Sequence, residues 1–109
     1  MDTRAFLDLS DGNPDKCREL IELYLTKTAE NFDEVEKAIR ANASSQVARI
    51  AHSMIGANLM VGLNTQVPML RTLELHGSRD NLKAAGLTLV SLRQEFEAIR
   101  AELEAAIQL

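Results

Sequence analysis

The stretch ARIAHSMIGANLMVG, residues 48–62, decides how the chain is read. From Val47 onward the core face runs Val47, Ile50 or Ala51, Met54, Asn58 and Val61, in steps of three and four. That period marks one amphipathic helix. Inside it stands His52, with Gly56 one turn later. Glycine in a helix interior costs about 1 kcal/mol relative to alanine, so the defect calls for a reason. The helical neighbours of His52 are Ala48, Arg49, Ile55 and Gly56, with Ser45 and Leu59 next along. The core stripe points elsewhere, which puts the imidazole off the buried face. The missing side chain at Gly56 then clears the adjacent turn, so that something large can approach the ring.

The flanking sequence divides into further helices. Phe6, Leu7 and Leu9 give an apolar edge to a short helix over 3–9. Ser10-Asp11-Gly12-Asn13-Pro14 is a turn feeding a helix start, with Asn13 as N-cap and Pro14 in the first helical position. A long amphipathic helix follows from 14 to about 41, with Cys17, Leu20, Ile21, Tyr24, Leu25, Thr28, Phe32, Val35, Ala38 and Ile39 on its apolar side. Asn42 to Ser45 is a short polar connection from which Ser44 can cap the central helix, and Gly62 is placed to end that helix. Pro68 is tolerable only in a first turn, so the next helix starts near 65 or 66, buries Val67, Leu70 and Leu73, and ends at Gly77. The last helix runs from about 80 to 107 on Leu82, Ala85, Leu89, Leu92, Phe96, Ile99, Leu103 and Ile107. Short connections make neighbouring helices antiparallel. The expected fold is all-α: an antiparallel up-down four-helix bundle with a short N-terminal cap helix, as a single domain over 1–109.

Composition narrows the function. The net charge of −4 disfavours a nucleic-acid surface or an anionic membrane as partner. No apolar run approaches the roughly 18 residues that span a bilayer, and MDTRAFLDLSDG lacks the apolar centre of a signal peptide. The single cysteine, Cys17, has no internal disulfide partner. A cytoplasmic protein, or one module of a larger one, is the expectation, and a monomer, since the bundle closes on itself.

The chemistry is narrowed in the same way. His52 and His76 share no helix face, and HExxH, EF-hand and second-cysteine patterns are missing, so no metal site and no cofactor are expected. Ser53 adjoins His52 in sequence, but successive helical residues do not face each other, which rules out a Ser–His couple. There is no Gly-rich phosphate loop. The imidazole remains as a nucleophile in its own right, able to accept a phosphoryl group from a partner. His76, in the last turn before Gly77, reads as a helix-terminal residue favoured by the dipole. Met54, Met60 and Met69 read as packing residues.

Ala51-His52-Ser53-Met54-Ile55-Gly56, then Gly62, then Leu73-Glu74 resembles the signature of histidine-containing phosphotransfer (HPt) domains. Gly12-Asn13-Pro14 with Leu20 to Leu25 resembles that family's second helix. The resemblance covers nearly the whole chain. It implies an antiparallel four-helix bundle without catalytic activity of its own, which shuttles phosphoryl groups between response-regulator receiver domains or takes them from a histidine kinase. It implies His52 as acceptor at Nε2, Gly56 as room for the receiver's active site, and Glu74 as the group holding Nδ1.

Three positions depart from the family pattern. Ile55 replaces a lysine that can interact with the phosphoryl group, and Arg49 and Arg71 are the local cations that can substitute for it. Leu59 and Asn58 stand where smaller residues are usual. Ile55 and Leu59, one turn apart, are expected to widen an apolar patch beside His52. With Ser45 and Ala48, that patch would dock a receiver helix. Two functions stay open on this reading: a working phosphocarrier, or an HPt-like adaptor that binds a receiver or kinase without carrying phosphate. Ile55 is the feature that separates them.

Overall fold

The computed structural model describes residues 3–107, and every element in that range is a helix or a connection between helices. The helices are α1 (Arg4–Leu9), α2 (Pro14–Arg40), α3 (Ser44–Met60), α4 (Val67–Ser78) and α5 (Leu82–Ile107). α2 has 27 residues, or about 40 Å at 1.5 Å per residue, and the molecule measures 43 × 20 × 20 Å. α2 packs on α3, α3 on α4, α4 on α5, and α5 back on α2, so the four long helices close into an antiparallel bundle. α1 caps one end of α2: Phe6 is fully buried and meets the Tyr24 ring edge-on at 5.9 Å.

Local chemistry sets most of the boundaries. Asn13 caps α2, its Oδ1 accepting from the N–H groups of Asp15 (3.0 Å) and Lys16 (3.1 Å), with Pro14 at the first position. Gly62, at φ +73°, ends α3 in the left-handed conformation, and Leu63 N–H closes back onto the Asn58 carbonyl. Two expectations are corrected. Ser44 is the first residue of α3 and makes no capping hydrogen bond. Gly77 does not end α4: the helix continues through Ser78, and Asp80, at φ +54°, makes the reversal.

The core is the sum of the predicted stripes. Ile21, Phe32, Val35, Val47, Ala51, Met54, Leu70, Leu73, Leu92 and Leu103 are all buried, and Phe32 meets Phe96 edge-on at 5.6 Å. Gln66 is buried as well, and its Nε2 donates to the Leu92 carbonyl (2.8 Å), tying the start of α4 to α5. None of the described helices is long and apolar enough to cross a membrane.

Candidate functional site

The rotation of α3 determines what it presents. Asn58 is fully buried on the stripe with Met54. Its Nδ2 donates to the Met54 carbonyl (2.8 Å), and its Oδ1 accepts from the Tyr24 hydroxyl (2.7 Å). Burial pushes the Tyr24 phenol up to about 12, partly offset by a hydrogen bond with Thr28. This buried polar pair fixes the face α3 turns to α2. Asn58 is visible on its stripe in the sequence, but its pairing with Tyr24 is not. The available signal was two polar side chains on two core stripes, since buried polar groups require each other.

With that face inward, His52 faces out, its side chain 76% exposed. Glu74, on α4, reaches across the α3–α4 seam, and its Oε2 lies 3.0 Å from His52 Nδ1. A carboxylate can only accept, so Nδ1 carries the proton and donates. In the neutral ring the lone pair then lies on the other nitrogen, Nε2. The pair is too exposed to matter much for stability, since ion pairs in water contribute about 0–1 kcal/mol. Its consequence is chemical: it fixes one tautomer and one ring orientation.

The other singled-out residues fall into three groups. Gly56 is exposed one turn beyond His52, and a Cβ built there would meet nothing within 4 Å. The fold therefore tolerates a side chain at this position. Arg49 and Arg71 are exposed, one turn from His52 and Glu74 respectively, and neither forms an ion pair among the described residues. Ser45 is exposed, Leu59 is 50% exposed, and Ala48 is half-buried in the α3–α4 seam.

Ile55 corrects the expectation of an outer patch. It is 5% exposed and belongs to the core. Three residues past His52 is about 60° back around the helix, toward α4, and the seam covers that flank. Ile55 and Leu59 therefore do not form one exposed surface. Met60 is corrected in the opposite sense: at 69% exposed it lies outside the core, next to the α2–α3 groove that Leu23 also borders. His76 is half-buried in the last turn of α4, and Cys17 is buried on α2. Among the described residues no three His, Cys, Asp or Glu side chains converge as a metal site.

The fold and this site define a helical bundle organised around one presented imidazole. The chain matches the family model of the Hpt domain over residues 19–108, and it belongs to that family, the phosphotransfer proteins of two-component signalling. It is similar in structure to the crystal structure of histidine-containing phosphotransfer protein B (HptB) from Pseudomonas aeruginosa PAO1. The TM-score is 0.87 at 20% identity, over 99% of this chain and 94% of that one. Among curated proteins none matches the sequence.

Proposed function

We propose that the domain is a phosphocarrier that accepts a phosphoryl group on His52 Nε2 and exchanges it with a receiver or histidine-kinase domain in the cytoplasm. One observation carries this reading: an imidazole whose side chain is 76% exposed and whose Nδ1 meets Glu74 at 3.0 Å, which leaves Nε2 as the uncommitted ring nitrogen. In the reaction the Nε2 lone pair attacks phosphorus. The bond from phosphorus to the donor's atom breaks, and its electrons leave with the donor. The ring keeps its Nδ1 proton and gains a positive charge, which the Glu74 carboxylate faces. The phosphoryl group brings about −1.5 to −2 charge, and Arg49 and Arg71, one helical turn from His52 and Glu74, are cations without an ion pair among the described residues.

The chain carries the group and does not turn it over, so donor and acceptor chemistry belong to the partner. Gly56 leaves the space that partner needs. Ser45, Ala48 and Leu59 share the helical face of His52, and Met60 and Leu23 supply exposed apolar surface at the α2–α3 groove. The acceptor and its carboxylate come from one chain, so a monomer suffices.

The test is phosphoryl transfer from a panel of phosphorylated receivers to wild type and to His52→Gln. Acid-labile label on wild type alone is the expected result. Label on the variant would remove His52 from the role. Binding without any label would make the domain an adaptor on the same bundle.

A further inference from the structure

Gly77 sits in the last turn of α4, buried, three residues after Glu74. A Cβ built there would lie 2.6 Å from the Ala48 backbone nitrogen, 2.9 Å from the Ser44 carbonyl oxygen and 3.1 Å from Ala48 Cα. All three atoms are α3 backbone, so no side-chain rotation relieves the clash. Gly77 is helical, so its backbone conformation does not require glycine; the approach of α3 does. Ala48 precedes His52 by one turn and Gly77 follows Glu74 by one turn. Because α3 and α4 are antiparallel, these steps run in the same direction along the seam. This close approach of the two backbones therefore lies one turn, about 5 Å, from the His52–Glu74 contact.

We infer that Gly77 is a positioning residue for His52: its missing side chain sets the α3–α4 separation at which Glu74 Oε2 meets His52 Nδ1. This rests on the phosphoacceptor reading of His52. To bring a 2.6 Å contact to van der Waals distance, the seam must open by roughly 1 Å. The same opening at the neighbouring turn takes a 3.0 Å hydrogen bond beyond its range. Nδ1 then loses its acceptor, and the ring redistributes toward the form protonated at Nε2, which has no lone pair for phosphorus. Gly56 and Gly86 provide the contrast, since a Cβ at either position meets nothing within 4 Å.

The experiment uses the full chain with Gly77→Ala, Glu74→Ala, the double variant, and Gly86→Ala as control. Ring 15N shifts report the His52 tautomer, and a phosphorylated receiver reports transfer. Gly77→Ala is expected to move His52 from the Nδ1–H form toward the Nε2–H form, as Glu74→Ala does, and to slow transfer at least about tenfold. The double variant is expected to be no slower than Glu74→Ala, and Gly86→Ala to match wild type in both readouts. An unchanged tautomer in Gly77→Ala, or slowing that multiplies with that of Glu74→Ala, overturns the inference. If Gly77→Ala does not fold, Glu74→Asp makes the same gap by shortening the side chain about 1.5 Å. A wild-type tautomer there shows that the separation is not critical, and equally overturns it. Failure of wild type to label would defeat the phosphocarrier reading alone, because the tautomer result decides Gly77 independently.

Discussion

Helix α3 carries a hydrogen-bonded pair on each side. Inward, Asn58 accepts from the Tyr24 hydroxyl at 2.7 Å; outward, His52 meets Glu74 at 3.0 Å. The bond lengths are alike and the settings are opposite. The inner pair is out of water, where an abandoned polar group costs about 1–3 kcal/mol, and its phenol is pushed up to about 12 and kept neutral. It locks the rotation of the helix and has no chemistry left. The outer pair lies in water and contributes little to the fold, but it leaves the imidazole exposed and oriented by one carboxylate. One helix thus keeps the contact that holds its position apart from the contact that presents an exposed imidazole.

Breaking the inner pair should produce the largest effect. Tyr24→Phe leaves Asn58 Oδ1 without its partner and is expected to cost up to about 3 kcal/mol in denaturant unfolding, with transfer rates unchanged. The sign of the pH dependence follows from the raised phenol. Its folded value, about 12, lies above the unfolded value near 10. Its contribution is complete below pH 10 and is lost as pH rises through 12, an alkaline decline on the order of 2–3 kcal/mol. Tyr24→Phe should lack that decline; an identical alkaline profile would detach it from Tyr24.

Breaking the outer pair should show the reverse. Glu74→Ala is expected to change stability by less than about 1 kcal/mol and to slow phosphoryl transfer ten- to a hundredfold. Equal losses in both quantities would erase the contrast between the two sides. The flank between them is probed by Ile55→Lys. The lysine stem can snorkel along the seam, so the expected loss is about 1–2 kcal/mol, with a longer phosphohistidine lifetime from the added cation. An unchanged lifetime would show that Arg49 and Arg71 already suffice. The smallest effect is at Gly56. Gly56→Ala should raise stability by about 0.5–1 kcal/mol, since its Cβ meets nothing, and slow transfer from a receiver but not from a small phosphodonor. Equal slowing with both donors would place the obstruction inside the domain.

Periodicity was enough for the helices and their stripes. The run from Cys17 to Ala38, apart from the half-buried Leu20, and the run from Ala85 to Leu103 bury the residues their spacing selects, because a bundle core is the sum of such faces. A single helix also shows which side is apolar. It does not show which flank a neighbour covers, and that is where Ile55 and Met60 differ from expectation. Both border the stripe of α3, but α4 closes over Ile55 while the α2 side leaves Met60 open. Gly77 fails for a related reason. A glycine near a helix end resembles a terminator in sequence, and only the register of α3 against α4 reveals the close approach. The same register brings Glu74 to His52 across 22 residues, a contact that the family resemblance implies and that no local pattern specifies. The Tyr24–Asn58 pair also depends on how α2 and α3 face each other.

The most direct test of the central claim is where phosphorus attaches. Wild type labelled by a phosphorylated receiver is examined by 31P and ring-15N NMR. The account predicts one phosphohistidine, bonded at His52 Nε2, with the proton retained on Nδ1. Phosphorus on Nδ1, or on any residue other than His52, would contradict it.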